Sequence, residues 1–210
     1  MQFGCIGEHL THSFSKEIHG YLADYDYQLK ELTPAQLPAF LQARAFKGIN
    51  VTIPYKQAVM PYLDVIDEKA AAIGAVNTIV NRDGKLYGYN TDYDGMVALV
   101  RHAGLSLEGK SVLILGTGGT SRTAQAVAAA EGAAQVVVIS RSGPDNYANP
   151  EKHADAQVII NTTPVGMYPH GDEMPLSLAH FPALTGVFDA VYNPLRTTLV
   201  LEALKRGIPA

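Results

Sequence analysis

The chain has 210 residues, 47% of them hydrophobic and 17% charged, and its formal net charge is -4 at pH 7. This composition is ordinary for a globular protein of one large or two small domains. It offers no excess positive charge to nucleic acid or an anionic membrane, so we expect neither partner. No apolar stretch approaches the ~18 residues of a membrane span. The single cysteine, Cys5, excludes an intrachain disulfide. We expect it to be buried in a strand of a cytoplasmic protein.

The first half of the chain alternates strand-like and helix-like segments, which is typical of an α/β domain. Short apolar or alternating runs predict strands at Phe3–Gly7, Tyr27–Leu32, Lys47–Val51, Val76–Asn81 and Leu86–Tyr89. Asp83-Gly84 predicts a tight turn between the last two strands. Caps and apolar stripes predict helices over Ser13–Tyr25 (capped by Ser13 or Ser15), from Thr33-Pro34 onward, and over Asp64–Ile73.

A composition shift follows a helix predicted over Asp92–Gly104, so we place a domain boundary near residues 92–109. The first domain would span residues 1–91 and the second residues 92–205. Residues 142–151 are rich in turn formers where a doubly wound fold carries a crossover helix, so that helix should be missing or very short. The second half is predicted to contain strands Ser111–Leu115, Gln135–Ser140, Val158–Ile160 and Val187–Phe188, and helices Thr120–Glu131 and Thr197–Arg206.

A glycine-rich turn, Gly116–Gly119, joins a predicted strand to a predicted helix, which is the layout of a dinucleotide-binding βαβ unit. Gly116 permits a tight turn, Gly118 lets the backbone approach a pyrophosphate, and the amides at the helix start bind the anion. Ser121 stands where a third glycine would complete the fingerprint, so a purely structural glycine turn remains an alternative. The residues assigned to this part of a cofactor site are Gly116, Thr117, Gly118, Gly119 and Thr120.

The end of the following strand indicates which cofactor is bound. An NAD enzyme usually places an acid there to accept from the ribose 2′-hydroxyl, whereas this chain has Ser140, Arg141 and Ser142. Arg141 can pair with a 2′-phosphate, and the two serines can donate hydrogen bonds to it. The sequence therefore predicts NADP(H), with a solvated arginine as the alternative.

Small polar clusters follow predicted strands in the first half, where ligands of α/β sheets bind. The most informative is the end of the run Gly48–Lys56, where Pro54 suits the first turn of a following helix and Lys56 becomes a candidate proton donor. Other clusters are Thr11–Ser15, Asn77-Thr78 and Tyr89–Asp92. Each has a structural alternative as a cap or turn residue, but together they predict a site for a small polyhydroxylated substrate.

These motifs resemble those of the shikimate dehydrogenase family over essentially the whole chain. The resemblance implies an N-terminal α/β substrate domain, a Rossmann-like doubly wound NADP-binding domain, and NADPH-dependent reduction of 3-dehydroshikimate to shikimate in aromatic amino-acid biosynthesis. The matching runs are Gly7 with His12–Ser15 and His19, Gly48–Lys56, Gly74–Thr78, Gly88–Asp92 through Gly95, Gly116–Arg122, Asn161–Met167, and Tyr192–Pro194 with Thr197.

The resemblance also implies roles for individual residues. Ser13 and Ser15 would hold the substrate carboxylate, and Lys56 with Asp92 would form the catalytic pair. Further substrate contacts would come from Thr52, Asn77, Asp92 and Tyr192, and further cofactor contacts from Thr162, Thr163 and Met167. No metal is expected, because reduction of a ketone needs none if Lys56 supplies the proton.

Some features depart from the family pattern. The second basic residue often seen after Arg141 is absent, which predicts softer selectivity for NADP(H). Family members continue past Gly207–Pro209 into a segment that carries a substrate-contacting glutamine and packs on the first domain. By that pattern, residues 206–210 would rejoin the first domain. Two alternatives stay open, namely a quinate/shikimate dehydrogenase using NAD(H) and a non-catalytic nucleotide-binding module. A monomer or a homodimer is expected.

Overall fold

The computed structural model of this chain describes residues 1–10 and 13–210. Thr11 and His12, which belong to one of the polar clusters in the sequence, lie outside the described residues. The chain divides into two compact units, Met1–Asp92 (unit 1) and Tyr93–Ala210 (unit 2). No helix in the described part of the chain is long and apolar enough to cross a membrane.

Unit 1 contains a six-stranded mixed sheet of order β2-β1-β3-β5-β6-β4. β1 pairs in parallel with β2 and β3, whereas β5 is antiparallel to both β3 and β6. The β5–β6 turn at Asp83-Gly84 has positive φ at both residues, which confirms the predicted tight turn. The strands are β1 (Phe3–Gly7), β2 (Tyr27–Glu31), β3 (Gly48–Val51), β4 (Val65–Ile66), β5 (Thr78–Arg82) and β6 (Lys85–Tyr89).

One face of this sheet carries the main core of unit 1. Alternate strand residues such as Ile6, Ile49 and Ile79 pack there against the helices, as the two-residue period of a strand requires. The opposite face holds a smaller cluster around Cys5 and Tyr27. Cys5 is buried in β1 as predicted, and burial raises the pKa of its thiol to about 11, so it stays protonated and unreactive near neutrality.

The helices of unit 1 are shorter than predicted: α1 (Ser15–Leu22), α2 (Leu37–Ala43) and α3 (Glu68–Ile73). The cap position of α1 is Phe14, without a side-chain cap, so neither predicted serine caps the helix. Thr33 does not cap α2, because the helix begins only at Leu37 and its cap position is Gln36, whose side chain accepts from the Thr33 N–H at 2.9 Å. The predicted start of α3 at Asp64 was also wrong, since β4 pairs with β6 first.

Unit 2 is built on a four-stranded parallel sheet of order β10-β9-β7-β8. Its strands are β7 (Ser111–Leu115), β8 (Gln135–Ile139), β9 (Val158–Asn161) and β10 (Gly186–Asp189), and its helices are α4 (Asp92–His102, beginning at the last residue of unit 1), α5 (Gly119–Ala130) and α6 (Thr198–Lys205). The strand order reverses on either side of β7, which places a topological switch point between β7 and β9.

Helices cover both faces of this parallel sheet, as its near-continuous apolar strands require. Val112 and Ile114 of β7 pack on the side of α4 and α5, and Leu113 and Leu115 pack on the side of α6. Between β8 and β9 the chain forms only a short 3-10 helix, Pro150–His153, which confirms that the crossover helix is reduced. The structure thus has the predicted α/β class with a Rossmann-like second unit.

The last residues lie with unit 2. The backbone N–H of Val187 donates to the carbonyl of Pro209 at 2.9 Å, and Ile208 packs on the α6 side of the sheet. The chain after α6 therefore returns beside β10, and the expectation that residues 206–210 rejoin the first domain stays a prediction.

Candidate active site

Four segments of unit 1 meet at one edge of its sheet. β1 and β3 are parallel, so Gly7 and Val51 end at this edge. β5 runs the other way, which brings its first residue, Thr78, opposite Asn50. β6 is antiparallel to β5, and its last residue, Tyr89, lies opposite Thr78. The topology thereby collects three of the polar clusters that are far apart in sequence.

Lys56 and Asp92 form a direct ion pair at this edge. The Lys56 Nζ donates to Asp92 Oδ2 at 2.5 Å, and the two side chains are 12% and 32% exposed. The backbone of Lys56 is held as well, since its carbonyl accepts from the Val76 N–H at 2.7 Å. The ion pair and the low exposure restrict this lysine more than an ordinary surface lysine and direct its ammonium toward Asp92.

The segment that presents Lys56 differs from the prediction. Pro54 does not open a helix, because the chain continues from it through a series of turns. The first helical residues after it form only a 3-10 turn, Met60–Tyr62. Buried Tyr55 anchors the segment by donating its hydroxyl to the carbonyl of Leu32.

The amide of Asn77 organises the neighbouring loop. Its Nδ2 donates to Thr91 Oγ1 at 2.9 Å, and its Oδ1 accepts from the Thr91 N–H at 2.9 Å and from the Thr78 hydroxyl at 3.0 Å. These bonds fix the residue that precedes Asp92. Within the described part of the chain, one N–H of this 7% exposed amide is left to donate to a ligand.

A hydrogen-bonded chain continues from Thr78 to residues that the sequence analysis did not assign. Asn50 donates to Thr78 Oγ1 at 3.2 Å and accepts from the Tyr27 hydroxyl at 2.6 Å. Burial raises the pKa of Tyr27, while a hydrogen bond from Ser15 opposes that rise. Asn50 belongs to the Gly48–Lys56 run, which the sequence marks as part of a site. Tyr27 could be recognised from sequence only as a residue of a predicted strand.

The remaining predicted substrate residues of unit 1 lie close to this hydrogen-bonded network. Ser13 Oγ accepts from the Ser15 N–H at 3.3 Å, and both serines are half-buried. Thr52 follows β3 and donates its N–H to the Ile6 carbonyl at 2.9 Å, beside Gly7. An open cavity of about 160 Å³ adjoins the network, lined by Phe3, His19, Tyr25, Tyr27, Gly48, Ile49, Asn50 and Thr78.

In unit 2 the glycine turn lies at the switch point. Gly116 follows β7 and has φ +105°, a conformation that L side chains rarely adopt, and an added Cβ would lie 3.0 Å from Thr162 and Thr163. Gly118 is the N-cap of α5 and has open space around it. The first amides of α5 have no acceptors within the helix and carry its positive dipole end, so this turn can hold a phosphate.

Ser121 explains why the incomplete glycine fingerprint still fits. Its side chain has no exposed surface, and its Oγ accepts from Gln125 Nε2 at 3.2 Å within α5. The third glycine of the fingerprint serves close packing of helix on strand. A small serine meets the same steric demand here.

The predicted 2′-phosphate residues follow β8. The N–H of Gly143 donates to Ser140 Oγ at 2.7 Å, which closes the turn that contains Arg141 and Ser142. Both of these side chains are exposed. The Arg141 guanidinium forms no ion pair or hydrogen bond with another side chain of the described residues, so its donors are available to an anion.

The other predicted contacts of unit 2 lie on the loops after β9 and β10. Thr162 follows β9 and donates its N–H to the carbonyl of Leu115 at 3.0 Å, next to Gly116. The Thr163 hydroxyl donates a hydrogen bond to the Asn161 side chain. The side chains of Met167 and Tyr192 are 39% and 58% exposed. Among the described residues, no group of three or more His, Cys, Asp or Glu side chains is arranged to hold a metal ion.

A parallel sheet with a phosphate-binding turn at its switch point in one unit, together with a held lysine in the other, is the organisation of a nucleotide-dependent dehydrogenase. A family model described as the shikimate dehydrogenase substrate binding domain matches residues 5–79. A Clostridium perfringens protein named shikimate dehydrogenase (NADP(+)) is 36% identical over 227 residues, covering 98% of this chain and 84% of the relative. This chain belongs to the shikimate dehydrogenase family.

Solved structures that are similar to this chain belong to the same family. Shikimate dehydrogenase 1 from Peptoclostridium difficile matches with a TM-score of 0.90 at 35% identity, covering 99% of this chain and 84% of that one. Shikimate 5-dehydrogenase from Thermus thermophilus, solved in complex with NADP(H) and shikimate, matches with a TM-score of 0.86 at 30% identity, covering 99% and 85%.

Proposed function

We propose that this protein reduces 3-dehydroshikimate to shikimate with NADPH, reversibly, in the shikimate pathway of aromatic amino-acid biosynthesis. The observation that carries the proposal is the Lys56–Asp92 ion pair at the polar edge of unit 1, in a chain of this family. The substrate has a ketone to be reduced, hydroxyls and a carboxylate. The hydroxyl and amide side chains along this edge have the chemistry to bind the last two groups.

The residues of unit 2 fit NADP(H). The open space beside Gly118 and the free first amides of α5 suit a pyrophosphate, and the exposed Arg141 suits a 2′-phosphate. Thr162, Thr163 and Met167 lie on the loop after β9, next to the same switch point. When bound, the reduced cofactor supplies a hydride.

The residues of this chain contribute charge stabilisation and a proton to the reaction. As the carbonyl carbon gains a hydride, negative charge develops on its oxygen, and we assign the Lys56 ammonium to stabilise that charge and donate the proton. Asp92 holds the ammonium in place. We assign Ser13 and Ser15 to the carboxylate, Thr52 and Asn77 to the ring hydroxyls, and Tyr192 to a further substrate contact.

Initial rates of NADP+ reduction test this function. We expect turnover with shikimate and NADP+, and at least tenfold lower kcat/KM when quinate replaces shikimate or NAD+ replaces NADP+. Equal rates with quinate or NAD+ would favour a broader quinate/shikimate dehydrogenase. NADP+ binding without turnover of either substrate would favour a non-catalytic nucleotide-binding module, and would contradict the proposal.

Replacing Arg141 by alanine should weaken the binding of NADP+ and leave the binding of NAD+ unchanged. A charge-assisted bond to the 2′-phosphate is worth about 1.5–3 kcal/mol, which corresponds to an increase of roughly 10- to 150-fold in the Kd of NADP+. Equilibrium titration of both cofactors measures this effect. Arg101→Ala, which removes an exposed arginine paired with Glu131, is the control. An unchanged Kd of NADP+ in Arg141→Ala would remove Arg141 from the site.

Unit 1 would be the substrate domain and unit 2 the cofactor domain, corresponding to the predicted domains 1–91 and 92–205. We further propose a cytoplasmic location, which is supported by a single buried thiol and by a reaction that uses NADPH. A monomer or a homodimer is expected, and sedimentation of the purified chain distinguishes the two.

A further inference from the structure

Two side chains at the carboxyl ends of β9 and β10 lie opposite each other in register, Asn161 and Asp189. Asn161 has no exposed surface, and its amide uses all of its ordinary hydrogen-bonding capacity. Its Nδ2 donates to Asp189 Oδ1 at 2.9 Å and to the Val165 carbonyl at 3.3 Å. Its Oδ1 accepts from the Thr163 N–H at 3.0 Å and from the Thr163 hydroxyl at 2.7 Å. Asn161 therefore fixes the start of the loop after β9.

Asp189 fixes the loop after β10 in the same way. Its Oδ1 also accepts from the Val191 N–H at 3.0 Å, and its Oδ2 accepts from the Thr197 hydroxyl at 2.7 Å. These two donors lie before and after the loop that contains Tyr192. Burial raises the pKa of Asp189, and the hydrogen bonds from Thr197, Val191 and Asn161 oppose that rise by stabilising the carboxylate.

The two loops are joined again away from the strand ends. The N–H of Tyr168 donates to the carbonyl of Asn193 at 2.9 Å. The Thr198 hydroxyl donates to the carbonyl of Gly171 at 2.9 Å. Because the loops share contacts at their bases and farther out, displacing one displaces the other.

We propose that Asp189 is a positioning residue, which holds the cofactor loop Thr162–Met167 and the Tyr192 loop in their working arrangement through Asn161 and Thr197. The inference rests on the proposed function, because that function gives the two loops their ligands. Asp189 contacts neither ligand in this proposal; it acts through the side chains that bind it.

Asp189→Ala removes all three of the hydrogen bonds accepted by this carboxylate. We expect at least a tenfold higher Kd of NADP+ by equilibrium titration, and a similar fall in kcat. Asp189→Asn keeps an oxygen for Asn161 and Val191, so it should stay within about threefold of the unaltered protein. Asp155→Asn, at an exposed carboxyl group between β8 and β9, is the control and should change neither quantity.

Hydrogen–deuterium exchange provides a readout that needs no ligand. In Asp189→Ala we expect faster exchange over both 162–171 and 190–197, with the β7 and β8 amides unchanged. Faster exchange confined to 189–191, or an unchanged Kd of NADP+, would overturn the proposal. Equal impairment of the alanine and asparagine variants with a matching fall in Tm would also overturn it, because the carboxylate would then be needed only for folding. Failure of the proposed function would show in the unaltered protein, as absent NADP+ binding or absent turnover of shikimate.

Discussion

Lys56→Ala is expected to lower kcat for shikimate oxidation by about 10³-fold, with a much smaller change in KM. General acid–base catalysis by a positioned side chain contributes typically about 10²–10⁴-fold, and the developing charge loses its cation as well. Such a loss belongs to the transition state, so it appears in kcat more than in KM. Steady-state kinetics over a range of shikimate concentrations at saturating NADP+ separates the two.

Two further variants isolate the cause. Lys56→Arg keeps a positive charge but cannot release a proton near neutrality, so it should remain at least tenfold impaired. Lys47→Ala, which removes an exposed lysine just before β3, should behave like the unaltered protein. The Tm of Lys56→Ala should change little, because Asp92 is 32% exposed and can be hydrated once its partner is gone. An unchanged kcat with a raised KM would make Lys56 a binding residue.

Gly116→Ala is expected to destabilise unit 2 and to weaken the binding of NADP+ at least tenfold. An alanine at φ +105° is strained by about 1–3 kcal/mol, and its Cβ would press on Thr162 Oγ1 and Thr163 Cγ2 at 3.0 Å. For a chain of this size, strain of that order lowers Tm by roughly 2–12 °C. Thermal unfolding with and without NADP+, together with a binding titration, measures both effects.

Gly118→Ala is the matched control, because this glycine has an ordinary φ of -76° and no atom within 4 Å of an added Cβ. Its Tm should be unchanged. Its affinity for NADP+ should still fall, since the methyl group would occupy the space through which the backbone approaches a pyrophosphate. If both variants bind NADP+ normally, the glycine turn is only structural.

Unit 2 was predictable from sequence because its signals are local. A buried parallel strand has a continuous apolar run, and β7 was predicted with its observed bounds, Ser111–Leu115. Gly116 and Gly118 mark the turn, and Thr197 caps α6 by accepting from the Val200 N–H. The loss of the crossover helix followed from the turn-forming residues in its place.

Unit 1 was predicted less well because partners distant in sequence decide its details. Val65–Ile66 forms a strand instead of the predicted helix because it pairs with β6, and no nearby residue in the sequence indicates that pairing. Tyr27 acquires its site contact only when β2 and β3 flank β1 in one sheet. Asp189 was missed for the same reason, since its partners Asn161 and Thr197 meet it only in the fold.

Transfer of deuterium tests the central claim most directly. NADPH labelled with deuterium at the transferable position of its nicotinamide is incubated with 3-dehydroshikimate and this protein, and the product is examined by mass spectrometry. Shikimate carrying one deuterium, formed by the unaltered protein and far more slowly by Lys56→Ala, is the predicted result. Unlabelled product, or no product while NADPH binds, would contradict the assignment of this chain as a hydride-transferring shikimate dehydrogenase.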